Sequence, residues 1–148
     1  IPPNPPSVAP PTLLGGSVPT NPRLAGGNGI QTQGEDGLWH TVMNQPRGND
    51  SANYTETSGA ALILYGLIRG VKEGLLPPET TAPAIDAGID GLLGRISETG
   101  EVYGTSYGTN PGDYDYYVGV GTDTDLMLGV GSVIMALAEA HNHPMASP

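Results

Sequence analysis

The stretch ETSGAALILYGLIRGVKEG, residues 56–74, decides how this chain folds. Ala60, Leu64, Leu67, Ile68 and Val71 recur at spacings of three and four, the period of a helix with one buried stripe. Ala61, Leu62, Ile63 and Tyr65 fill much of the remaining surface, so the first half of the helix is apolar nearly all round. A helix of that kind is sandwiched between other elements. Gly74, followed by Pro77 and Pro78, supplies the stop.

C-terminal to it, Ala84, Ile85, Ile89, Leu92, Leu93 and Ile96 mark a second helix over about residues 81–96, with Pro83 tolerated in its first turn. A turn at Glu98-Thr99-Gly100-Glu101 leads into residues 104–121, GTSYGTNPGDYDYYVGVG. This is a long loop of the kind that carries function. A third helix is predicted over about residues 123–141, capped by Thr122 or Asp123 and lined by Leu126, Val130, Val133, Ile134, Leu137 and Ala138. The last residues, 144–148, read as a frayed tail.

N-terminal to the deciding helix, Asn44 to Asn53 is a polar loop, and residues 35–42 are an acidic turn running into a short extended segment. Residues 1–34 are so rich in proline and glycine that they read as an extended arm, partly polyproline II, or as a disordered linker. Leu13, Leu14, Val18, Leu24 and Ile30 offer points at which the arm can be pinned to a neighbouring surface. The expected organisation is therefore an arm over 1–34, a helical unit over 35–143 and a tail.

Composition limits what such a unit can do alone. With no Phe and a single Trp, its core rests on aliphatic residues and a few tyrosines, enough for a modest helical layer but not for a large self-sufficient core. Gly59, Gly66, Gly70, Gly129 and Gly131 let backbones approach closely, at about 1 kcal/mol each in helix propensity. Helices this apolar and this glycine-notched expect partners beyond the chain, as in a fragment or an obligate assembly. The chain begins at Ile1, as a processed mature chain or an excised piece does.

The formal charge of −10 excludes nucleic-acid binding and disfavours anionic membranes, and no apolar run approaches the roughly 20 residues of a membrane span. Absence of Cys excludes disulfides and thiolate-ligated metals. Sequons at Asn49 and Asn53 predict a secreted glycoprotein.

Individual polar residues point to little chemistry of their own. Asp113 and Asp115 beside Pro and Gly read as turn formers rather than an acid/base pair. Asp123 and Asp125 fail as a calcium loop, because the position that needs a bidentate Glu is Ile134. His141 and His143 lack a third metal ligand. Glu56 suits the positive end of the helix it precedes.

The order of short motifs is more specific. Asp36-Gly37-Leu38-Trp39-His40 is followed by Asn53-Tyr54-Thr55-Glu56-Thr57-Ser58-Gly59, then by Tyr65-Gly66-Leu67-Ile68-Arg69-Gly70-Val71. Gly104-Thr105-Ser106, Asp115-Tyr116-Tyr117-Val118 and Gly129-Val130-Gly131 complete the series. Over residues 35–141 this resembles the C-terminal part of glycoside hydrolase family 105, the unsaturated rhamnogalacturonyl hydrolases. The resemblance implies part of an (α/α)6 barrel, a mainly α fold, without nucleotide or metal cofactor. It also implies release of 4,5-unsaturated uronic acid from oligosaccharides: an aspartate protonates and hydrates the vinyl ether, and the hemiketal collapses.

That aspartate has no counterpart here, so no catalytic residue is assigned. The resemblance places substrate contact in the Gly104-Thr105-Ser106 loop, on Thr105 with Tyr107 alongside, and Trp39 is a candidate for sugar stacking. The partner is then an unsaturated uronyl oligosaccharide, with another chain completing the fold. Two other readings fit the residues: a catalytically dead, enzyme-derived protein that self-assembles through its arm and apolar faces, or a carbohydrate-binding remnant built on Trp39 and residues 104–117.

Overall fold

The computed structural model describes residues 27–44 and 52–142. Five helices and one two-stranded ribbon follow in the order α1 (Gly27–Gln31), α2 (Thr57–Lys72), α3 (Pro78–Leu93), β1 (Thr105–Ser106), α4 (Tyr114–Gly119), β2 (Thr122–Asp123) and α5 (Met127–His141). The helix predicted at 56–74 is α2, and it is sandwiched as its composition requires, between α5 and α3. Thr57, Ala60, Ala61, Leu64, Leu67 and Ile68 are its buried residues. Its apolar buried residues join Leu38, Trp39, Ile85, Leu92, Val102, Val133 and the alanines at 84, 136 and 140 in the core.

Helix α3 starts earlier than its apolar stripe alone predicts. Pro78 occupies its first helical position and the Thr81 hydroxyl donates to the Pro77 carbonyl at 2.8 Å, so Pro83 falls inside the helix rather than in its first turn. Small residues of α3 receive the turn at residues 36–38. Gly37 has φ +78°, and a Cβ there would lie 1.9 Å from the Ala87 carbonyl oxygen. A Cβ on Gly91 would meet the Asp36 carbonyl oxygen at 2.4 Å. Only glycine allows this approach of loop to helix.

Helix α5 starts later than predicted, at Met127 with Leu126 as its N-cap residue. Thr122 and Asp123, the expected caps, pair instead with β1 in the antiparallel register Thr105↔Asp123 and Ser106↔Thr122. The long loop of residues 104–121 thus contains a strand and the short helix α4. The expected arm also ends earlier than residue 34. Residues 27–34 hold α1 and a bridge from Gln33 to Trp39, while Gln33 Nε2 donates to the carbonyls of Gly37 at 2.7 Å and Ala84 at 2.9 Å. The remainder of the arm, residues 1–26, and the tail lie outside the described residues.

The packing of α5 inverts the ordinary amphipathic pattern. Its buried positions are mostly small (Gly129, Ser132, Val133, Ala136 and Ala140), which lets it lie close on α2. Four of its large apolar residues face away, although Val130 and Leu137 pack on the core: Met127 is 87% exposed, Leu128 71%, Ile134 62% and Met135 49%. On α2, Leu62 is likewise 53% exposed. Ile134, predicted as lining, is on this outer face. The Lys72–Glu139 pair, Nζ to Oε1 at 2.5 Å, fixes the far ends of α2 and α5 relative to each other.

Among the described glycines the tightest position is Gly129, where a Cβ would fall 1.8 Å from Thr105 Oγ1 and 2.8 Å from its Cβ. Gly131, two residues on, has open space. Gly129→Ala is therefore expected to cost about 1–3 kcal/mol through overpacking, against its gain in helix propensity. Gly131→Ala should gain up to about 1 kcal/mol. Urea denaturation midpoints for the two variants check the pair, and equal midpoints would contradict the helix-on-strand packing described.

Candidate functional site

The connecting segments meet at one end of α2, and the junction is organised by two consecutive residues. Glu56 N–H donates to the Trp39 carbonyl at 2.9 Å, and Thr57 N–H donates to the Gly104 carbonyl at 3.0 Å. The Glu56 carboxylate, 8% exposed, accepts from Ser58 N–H at 3.1 Å, Gly59 N–H at 2.6 Å, Ser106 N–H at 3.0 Å and the Ser58 hydroxyl at 2.9 Å. Thr57 Oγ1 donates to the Tyr103 carbonyl at 2.7 Å. Glu56 is thus the cap that its position suggests, and it also fixes the strand that follows Gly104.

Thr105 is fully buried, with its hydroxyl against Gly129 and no hydrogen-bond partner. It does not face substrate; it is a helix–strand contact, which corrects its assignment as a binding residue. Trp39 is also corrected. It is 1% exposed and its Nε1 donates to the Gly29 carbonyl at 2.6 Å, so its ring is core and presents no face to a sugar. Asn53 is withdrawn as a glycan acceptor for a similar reason. It is 8% exposed, its Nδ2 donates to the Val42 carbonyl at 3.0 Å, and its Oδ1 accepts from Val42 N–H at 3.1 Å. Asn49 lies outside the described residues.

Tyr107, by contrast, is 64% exposed. Its hydroxyl donates to Asp123 Oδ2 at 2.8 Å, and its ring lies along Gly121, whose Cβ position would be 3.4 Å from Cε2. The bond to Asp123 and that residue's charge hold the phenol above its ordinary pKa. The Asp123 carboxyl is lowered in turn by the Thr124 N–H and by Tyr107. The ring is a fixed, exposed flat surface. Asp113 caps α4 by accepting from Tyr116 N–H at 2.9 Å, the turn-forming role read from the sequence.

Beside Tyr107 runs a groove of about 480 Å3 lined by Tyr54, Thr55, Arg95, Gly104, Thr122 and the backbone-rich stretch of residues 118–121. A second groove, about 680 Å3, lies on the other side of Arg95 and carries Glu35, Asp36 and Asp90. Between the two grooves stands a latch that sequence reasoning missed. Arg95 Nη2 donates to Asp36 Oδ2 at 3.1 Å and to Thr55 Oγ1 at 2.5 Å, while Thr55 Oγ1 donates to Asp36 Oδ2 at 2.6 Å. Burial pushes the Asp36 carboxyl up, but the Thr55 hydroxyl, the Leu38 N–H and the Arg95 charge outweigh it, so the carboxyl sits below its ordinary value. The one available signal was scarcity: Arg95 is one of five cations in the chain. Among the described residues, no three His, Asp or Glu side chains gather to hold a metal ion, and no helix is long and apolar enough to cross a membrane.

Three close-packed helices with a capped loop junction at one end are a portion of an (α/α)6 glycosidase barrel. The chain belongs to Glycosyl Hydrolase Family 88, whose sequence profile matches residues 29–143. Over 128 residues it is 33% identical to the 24.9 kDa protein in picA locus of Rhizobium radiobacter, a match covering 75% of this chain and 54% of that one. Over 108 residues it is 26% identical to the unsaturated 3S-rhamnoglycuronyl hydrolase of an Alteromonas species, covering 72% and 24% respectively. The crystal structure of a possible member of the GH105 family from Klebsiella pneumoniae superposes with a TM-score of 0.67 at 29% identity, over 76% of this chain and 28% of that one. A corresponding protein from Salmonella enterica gives 0.68 at the same identity. The resemblance to family 105 therefore holds. The chain spans about half the length of the Rhizobium relative and about a quarter of the Alteromonas enzyme.

Two measurements check this site. The Thr105 hydroxyl is buried without a partner, so Thr105→Val, which keeps the shape, is expected to leave stability unchanged or raise it by up to about 1 kcal/mol. A clear loss in a urea titration would show that the hydroxyl is satisfied. The Asp36 carboxyl is lowered in the folded state, so its stabilisation is present above the unfolded carboxyl value of about 4 and disappears as pH falls through the folded value. Asp36→Asn should therefore be less stable than the parent chain at pH 6, and the gap should narrow toward about pH 2.5 as the parent's carboxyl takes up its proton. Midpoints that differ equally at both pH values would rule out an ionic latch.

Proposed function

We propose that this chain forms one wall of an unsaturated rhamnogalacturonyl hydrolase-type glycosidase acting on unsaturated uronyl oligosaccharides. The observation that carries this is the outer face of α5. Met127, Leu128, Ile134 and Met135 are too large and too exposed for a helix that ends in water, whereas neighbouring helices of a closed barrel would cover them. Family membership and the likeness to a rhamnoglycuronyl hydrolase supply the reaction class. On this reading an aspartate protonates and hydrates the vinyl ether of the unsaturated sugar, and the hemiketal collapses to break the glycosidic link. The aspartate comes from barrel segments outside residues 29–143, and this chain contributes a wall and, through Tyr107, a ring for the sugar to stack on.

The same apolar face supports a second reading, a protein derived from such an enzyme that covers α5 with another copy of itself. A chimera separates the two. Residues 29–143 replace the matched quarter of the Klebsiella protein, and loss of absorbance from an unsaturated uronyl disaccharide is followed alongside cooperative melting. The hydrolase reading expects a chimera that melts cooperatively and consumes the disaccharide. A chimera that folds and leaves the absorbance unchanged, while the 148-residue chain alone forms large particles by light scattering, decides for self-assembly.

A further inference from the structure

Resting on that reading of the substrate class, we infer that the groove between Arg95 and residues 118–122 binds the carboxylate of a uronyl sugar, with Arg95 as the specificity-determining residue. Of the cations among the described residues, Arg69 is paired with Glu73, and Lys72 with Glu139. Arg95 is paired with Asp36 and also lines both grooves. Its hydrogen bonds to described residues all leave from Nη2, to Asp36 and Thr55. Nη1 lies beside Gly104, where a Cβ would be 2.9 Å from it, and Gly104 lines the same groove. A guanidinium carries five donors in a rigid planar fork, so one edge can be anchored while the other receives a second anion. Asp36 and Thr55 act as that anchor, which lowers the entropy lost when an incoming carboxylate is bound.

The two grooves beside Arg95 differ in sign. One carries Glu35, Asp36 and Asp90 and repels an anion. The other carries no carboxylate; glycines 104, 119 and 121 form part of its walls, which leaves backbone accessible and room for a ring. At about 480 Å3 it lies in the range of small-molecule sites. Tyr107 stands at its Gly121 rim, with the hydroxyl held by Asp123, so its ring is positioned for the apolar face of a pyranose. The global charge of −10 repels anionic sugars, so discrimination falls to this local donor.

Galacturonate and galactose share a ring and differ in whether C6 is a carboxylate, which makes them the probes. Each is titrated into the 148-residue chain and followed by NMR chemical-shift changes. The expected result is tighter binding of galacturonate, with shifts centred on Gly104 and residues 118–122. Arg95→Gln should weaken galacturonate by at least about tenfold, the worth of one charge-assisted hydrogen bond, and leave galactose unchanged. Because Arg95 also holds the latch, Gly119→Gln is the second variant. A Cβ there meets nothing within 4 Å, so the side chain enters the groove without disturbing Asp36, and both sugars should be lost. Equal affinity for the two sugars, no galacturonate binding by the parent chain, or galacturonate binding that persists in Gly119→Gln overturns the inference. Selective galacturonate binding alongside an inactive folded chimera leaves this site standing and removes the hydrolase reading instead.

Discussion

The carboxylate of Glu56, almost enclosed by protein, is the interaction on which the junction depends. A buried carboxyl group is tolerated only when its lone pairs are met, and here the first turn of α2, the Ser58 hydroxyl and the Ser106 N–H meet them. Because the Ser106 N–H belongs to β1, the cap of a helix also sets the register of a strand fifty residues away in sequence. The neighbouring backbone bonds, Glu56 N–H to Trp39 and Thr57 N–H to Gly104, bring the early loop to the same point. The position of Tyr107 follows from this: its ring stands where β1 leaves it, over Gly121, opposite the Arg95 latch.

The loop chemistry rests on a helical layer that is unusual in how it is packed. Close approach of α5 to α2 uses small residues, and the approach of β1 to α5 uses a glycine with no spare volume at Gly129. These choices cost helix propensity and forgo large side chains in the interface. They leave Met127, Leu128, Ile134 and Met135 outside, a poor arrangement for an isolated helical layer and a suitable one for an element in a ring that has neighbours on both sides.

Much of this was legible in the sequence, and the limits are physical. The first half of residues 56–74, apolar nearly all round, announced a sandwiched helix, and the ordered motifs announced the family and the barrel. Boundaries moved where one local rule yielded to another: Pro78 made a better helix start than the apolar stripe indicated, and Thr122-Asp123 found a strand partner in place of a helix to cap. The site was read less well. Thr105 and Trp39 have side chains suited to a sugar site, but burial is a tertiary property, and both are enclosed by residues distant in sequence. Tyr107 differs from them in lying at the surface, among turn formers. Arg95 was invisible as a site because its partners Asp36 and Thr55 lie 59 and 40 positions away, and no periodicity links them.

The exposed face of α5 also bears on energetics. Burying one large aliphatic or Met side chain is worth about 1.5–3 kcal/mol, and the four on α5 are together comparable to the net stability of a small domain. A wall built this way gains as much from joining its neighbours as from folding by itself. Its glycine notches and small-residue seams then make sense as geometry set by the closed ring. The helices must lie at spacings that let the barrel complete, even where looser spacing and larger side chains would make the isolated layer more stable. The same reasoning places the loop junction under the ring's control, since α2 and α5, whose ends carry Glu56 and the β2 strand, are the elements whose positions closure would fix.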